Sequence, residues 1–204
     1  MTCRLLRRRS ATARHAVLLQ LLVSFLREAG LQPIPEARTD DGERPDLRLT
    51  LAGVSYLLDL SATHPTSPSA LSSRRSLRPL GAARQREYEK KQKYSELATL
   101  EGVTIVPLVM ESTGALGECF RQFIHRISTS VRNGEFAGAS PSAVERFLIA
   151  ALAVSLQRGN AAILREGTSL LSGRSSVCYA SQRQFVSHLP LLSLPPITPA
   201  FSLR

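Results

Sequence analysis

The sequence predicts an α/β fold in which helices pack about a small mixed sheet. Three observations carry that expectation. The segments LRLTL and VSYLLDLSA flank an Ala52-Gly53 turn and read as a hairpin. The β-branched run VTIVPLVM, residues 103–110, reads as a further strand. Around these stand segments whose apolar residues recur at the three- and four-residue spacing of helices.

The first helix is expected over residues 13–29, where Leu18, Leu21, Leu22 and Phe25 share a face and Gly30 stands ready to cap the C-terminus. LQPIPEA follows as a possible extended segment that Pro33 and Pro35 confine to a sheet edge. RTDDGERP, residues 38–45, is a polar loop. In the hairpin, Leu47, Leu49 and Leu51 alternate with Arg48 and Thr50, whereas the second arm is more continuously apolar and therefore more deeply buried. Residues 65–79, PTSPSALSSRRSLRP, lack periodicity and are expected to form a mobile basic loop. A charged helix over about 80–101 ends at Gly102. Beyond the 103–110 strand, helices are expected at about 116–132 and 142–158, the second opened by Ser140-Pro141. The chain then divides into a basic tail (1–12), one domain (13–167) and a Pro-broken C-terminal stretch (168–204) expected to be disordered.

Composition narrows the function. With 204 residues and 43% hydrophobic content, one core of ordinary size can form. Lysine and arginine number 26 against 16 acidic residues, and the resulting +10 charge favours a polyanionic partner, DNA above all. Cys3, Cys119 and Cys178 are scattered, which argues against a disulfide framework and against a zinc site. No apolar run is read as approaching the ~20 residues of a membrane span, so no membrane partner is expected. The leader pairs Arg7, Arg8 and Arg9 with an apolar run interrupted by Gln20 and Ser24, unlike a signal peptide. Its Arg-rich character keeps mitochondrial import open beside the nuclear or nucleocytoplasmic location that a DNA partner implies. Aromatic residues, at 5%, supply no stacking platform for single strands.

The chemistry is concentrated in the hairpin. If Leu51 faces Val54 across the turn, each outward step keeps the pairing symmetric, and Asp46 faces Asp59. Directly opposed carboxylates lie about 4.5–5.5 Å apart at Cβ and repel, so positive charge belongs between them. A hard divalent cation such as Mg²⁺, bound through oxygen, meets that need and keeps water positions open.

RPDL around Asp46, an acid twelve residues further on in LLDLS, and the helical KKQKY from Lys90 to Tyr94 occur in that order. Together they resemble the restriction-like endonuclease of site-specific LINE-type retrotransposons, a branch of the PD-(D/E)XK nucleases. RHA at Arg14–Ala16, THP at Thr63–Pro65, VPLVMES before Thr113 and LQRGN at Leu156–Asn160 extend the resemblance over about residues 13–167. It implies a core of helix, three-strand meander, helix and strand with extra C-terminal helices. It also implies a Mg²⁺- or Mn²⁺-dependent DNA endonuclease in which Asp46 and Asp59 are metal ligands. The superfamily's lysine usually stands two residues after the second acid, where this chain has Ser61; in the retrotransposon branch the following helix supplies it, which makes Lys90 and Lys93 the candidates. Tyr94 belongs to the same motif and is assigned with Arg14, His15, Arg74, Arg75, Arg78 and Arg84 to DNA binding. In the family the cut exposes a 3′ end that primes reverse transcription, so a reverse transcriptase encoded elsewhere is an expected partner. The alternative expectation is a basic DNA-binding remnant of the same fold without catalysis.

Overall fold

The computed structural model describes residues 2–35, 45–131 and 134–171. The polar loop expected at 38–45 lies outside the described residues except for Pro45, as does the expected tail from residue 172 onward. A first helix, α1 (Thr2–Glu28), leads to a two-residue edge strand β1 (Ile34–Pro35), then β2 (Leu47–Leu51) and β3 (Val54–Thr63). Helices α2 (Pro68–Ser72), α3 (Gly81–Lys93) and α4 (Ser95–Glu101) precede β4 (Thr104–Glu111), and α5 (Glu118–Ser130) and α6 (Pro141–Leu171) close the described chain.

The four strands form one mixed sheet in the order β1-β2-β3-β4. The first two pairings are antiparallel and the last is parallel. Leu51 pairs with Val54, and the register continues to Leu47 with Leu58. Ala52 (φ 49°) and Gly53 (φ 78°) take the two left-handed positions of a tight turn whose twist suits a hairpin. β1 sits at the edge, where a proline sacrifices no interior ladder bond.

Strand alternation divides the side chains between two layers. Leu47, Leu49, Leu51, Tyr56, Leu58 and Leu60 enter the larger core, with Leu22 and Leu26 of α1, Phe120 and Ile124 of α5, and Leu148 and Leu152 of α6. On the other face Leu57 meets Tyr94 and Leu97, with Val103 and Ile105 packed alongside. The same face carries Arg48, whose guanidinium pairs with Glu101 of α4. The α1 terminus closes as its sequence suggests: Leu31 N–H donates to Leu26 C=O and Gly30 N–H to Arg27 C=O, both at 2.9 Å, around a left-handed Gly30.

Several expectations are corrected. α1 starts at Thr2, so the arginines assigned to a tail lie in the helix. Residues 65–79 are not a shapeless loop, because Ser67 caps α2 and residues Arg75–Leu77 form a 3-10 turn. A Cβ on Gly81 would meet the Arg75 carbonyl oxygen at 2.2 Å, so glycine lets this segment lie directly on the start of α3. The helix expected over 80–101 breaks at Tyr94 (φ −103°, ψ 12°) into α3 and α4. α6 runs to Leu171, past the expected end at 158 and the boundary at 167. Within it, Pro141–Thr168 is long and apolar enough, by length and composition, to cross a membrane, with a window of mean hydropathy 1.5, contrary to the sequence expectation. That helix buries Val144, Leu148, Leu152 and Leu156, one turn apart, in the larger core.

Candidate active site

The β2–β3 ladder ends at Leu47 opposite Leu58; Asp46 just precedes Leu47, and Asp59 just follows Leu58 within β3. Asp59 points to the α3 face, between Leu57 and Ser61, and is 4% exposed. A carboxylate this dry needs donors and a counter-charge. Tyr94 OH donates to Asp59 Oδ1 at 2.7 Å, and Lys90 Nζ stands 2.6 Å from Oδ2. The lysine contact is ionic without hydrogen-bond angles: among the described residues Oδ2 has no hydrogen-bond partner.

Asp46 is held from the opposite side. Its Oδ2 accepts from Leu60 N–H at 2.7 Å, and His15 Nε2 of α1 lies 3.3 Å from Oδ1. Burial raises the Asp46 pKa and the neighbouring Asp59 charge raises it further, while the Leu60 N–H, His15 and Lys90 act in the other direction. The two acids therefore interact.

The helix break at Tyr94 explains how three residues of KKQKY take different parts. Lys90 is one turn before Tyr94 on the same face, and both reach Asp59. Lys93 is exposed; its ammonium lies 4.3 Å from the Tyr94 ring centroid and 3.1 Å from the Tyr94 hydroxyl. Lys90 thus reaches the buried acid directly, and Lys93 reaches the hydroxyl that bonds it. Tyr94, expected at a DNA-facing surface, is 1% exposed and supports Asp59 instead.

Other expected DNA contacts are divided. Arg74, Arg78 and Arg84 are exposed, and Arg75 is half-buried against a pocket beside β3. Arg14 is also half-buried: its Nη1 donates to Asn160 Oδ1 at 2.6 Å. Asn160 Nδ2 donates in turn to the Ser112 carbonyl at 2.8 Å, and Ser112 Oγ is 2.5 Å from His64 Nδ1. Residues from RHA, LQRGN, VPLVMES and THP, as much as 146 positions apart in the chain, are joined in one hydrogen-bonded line. Asn160 and Ser112 had no role assigned from the sequence, although both stand in segments that carried the resemblance.

Among the described residues no group of three or more His, Cys, Asp or Glu gathers at metal-binding spacing. The donor set suited to a metal is the carboxylate pair. It fits an oxygen-seeking cation that takes one or two carboxylates and keeps water or phosphate for its other positions, and among the described residues Asp59 Oδ2 has no hydrogen-bond donor. Comparison of the chain with models of known protein families gives no match, and comparison with curated proteins gives none.

Proposed function

We propose that this chain is a metal-dependent DNA endonuclease of the restriction-like kind, built on the helix, meander, helix and strand core of PD-(D/E)XK nucleases. One observation carries the reading. Asp46, just before β2, interacts with Asp59 of β3, and Lys90 of α3 stands at the nearly dry Asp59 carboxylate. The linkage of the four further motif segments supports it.

Asp46 and Asp59 would hold Mg²⁺ or Mn²⁺, and the bound ion would supply charge stabilisation and a more acidic water. The Leu60 N–H and His15 orient Asp46. Tyr94 fixes Asp59 from below and leaves its second oxygen toward Lys90. The Lys90 ammonium, set at the site before substrate arrives, can stabilise negative charge growing on phosphoryl oxygens without reorganising. Exposed Arg74, Arg78 and Arg84 contribute phosphate contacts, which position the duplex and carry no sequence information. A LINE-type setting, with a reverse transcriptase as partner and a nuclear or nucleocytoplasmic location, accords with the motif order.

Supercoiled plasmid incubated with the purified chain tests the reading. Nicking in Mg²⁺ or Mn²⁺ that stops in EDTA is expected. Tight DNA binding without nicking in any divalent metal would instead establish the silent DNA-binding alternative.

A further inference from the structure

Beside the acid pair, β3, α2 and the start of α3 enclose a pocket of about 350 Å³. Its floor includes Ser61, two residues along the strand from Asp59 and on the same face of the sheet. The Ser61 hydroxyl is buried and has no hydrogen-bond partner among the described residues. Its walls include Arg75 from the 3-10 turn and Arg86 from α3. Arg86 precedes Lys90 by one helical turn, so the pocket lies about 5.4 Å along the helix from the Lys90–Asp59 pair. One carboxylate shares the pocket: Glu89 accepts from Arg86 Nη1 and from Gln85 Nε2, each at 3.1 Å. The Arg75 charge also acts on it, and these contacts hold its pKa below the usual carboxylate value.

We propose that this pocket binds a backbone phosphate of the DNA strand, next to the phosphate that is cut, with Glu89 as the resident anion that the phosphate displaces. The proposal rests on the endonuclease reading for the identity of the strand. Arg75 and Arg86 supply two guanidinium groups, the side chain best matched to a phosphate's paired oxygens. Ser61 supplies a buried hydroxyl that has a donor to give. Glu89 occupies the donors of Arg86 and Gln85 while DNA is absent, which keeps an arginine beside the acids from lying idle or pairing with Asp59. The segment carrying Arg75 is a fixed wall, because Gly81 seats it against α3 at a distance no other residue allows.

Fluorescence anisotropy of the full chain with a labelled DNA duplex in EDTA reads this pocket apart from cleavage. Arg75→Ala and Arg86→Ala should each weaken binding. The double variant should lower the slope of log affinity against log salt by about 0.9, as one lost phosphate contact requires. Glu89→Gln should tighten binding, an opposite sign that misfolding cannot imitate. Arg146→Ala, which removes an exposed charge on α6, is the control for net charge. Variants indistinguishable from that control, or a Glu89→Gln that binds no better, would overturn the phosphate assignment and leave the nuclease centre standing. Normal behaviour of this series, with no nicking in Mg²⁺, would keep the pocket and remove the nuclease.

Discussion

Asp59 shows what a single buried charge demands of its neighbours. The Tyr94 hydroxyl donates to its Oδ1 and the Lys90 ammonium lies against its Oδ2, both delivered by the chain around KKQKY. Tyr94→Phe keeps the ring in its apolar seat and removes the hydroxyl alone. Losing a hydrogen bond to a buried charged group should cost about 1–3 kcal/mol, read as a lower midpoint in urea unfolding. An unchanged midpoint would mean that the Tyr94–Asp59 bond contributes nothing. Lys90 lies directly on Asp59, and Lys93 on the Tyr94 hydroxyl. Lys90→Ala should reduce nicking by about 10²–10³-fold, the scale for removing one preorganised stabilising group, whereas Lys93→Ala should stay within about tenfold. Equal losses would show that the direct Lys90–Asp59 contact does not identify the acting lysine. The hairpin arithmetic agrees with the observed register from Leu51–Val54 to Leu47–Leu58, and it gives no sign of Lys90 beside Asp59 or of His15 beside Asp46. Sequence separation hides both residues, since Lys90 and His15 lie on elements that approach the hairpin only through tertiary packing.

At the scale of elements, α3 is the part that carries the lysine, and buried acids secure its attachments. Glu111, at the end of β4, accepts from Ala83 N–H in the first turn of α3 at 3.2 Å. Glu87 of α3 accepts from Cys119 N–H in the first turn of α5 at 2.9 Å. Gly117 makes that approach possible, because a Cβ there would stand 2.3 Å from Glu87 Oε1. Burial raises the Glu87 pKa above its ordinary value, and the Cys119 N–H only partly opposes it. A raised folded-state pKa means that stability is fully present below the unfolded pKa and is lost as pH rises through the folded one. Glu87→Gln removes that loss. Its melting temperature relative to wild type should therefore be more favourable at pH 8 than at pH 4. A difference independent of pH would contradict a titrating Glu87. Most elements were legible in the sequence because they follow local signals: the Leu47, Leu49, Leu51 alternation, the Ala52-Gly53 turn, Gly30, and the proline edge strand. The α3–α4 break was not, since nothing in KKQKYSEL is a helix breaker; the turn is set by Tyr94 reaching Asp59. The Ser- and Pro-rich composition of residues 65–79 predicts a mobile loop, whereas Ser67 and Pro68 here start a helix.

Across the whole molecule, the first and last described helices meet beside the acid pair. Arg14 and His15 are neighbours on α1; one reaches Asn160 of α6 and the other Asp46. Gly159 leaves room for this, because a Cβ there would lie 2.5 Å from Arg14 Cγ. Gly159→Ala, ordinarily favourable in a helix by about 1 kcal/mol, should here destabilise the chain and reduce nicking. A rise in both melting temperature and activity would show that the Arg14–Asn160 link is dispensable. The long separation of these partners is why the sequence alone could suggest the motifs and not their linkage. The central claim is that Asp46 and Asp59 form a metal-dependent cleavage centre on a DNA-binding surface. Single-turnover plasmid nicking by Asp46→Asn at saturating Mg²⁺, with DNA affinity measured in EDTA, tests it most directly. The account predicts that nicking falls by at least about 10³-fold, equivalent to roughly 4 kcal/mol of transition-state stabilisation, while DNA affinity holds. Nicking at the wild-type rate would contradict it.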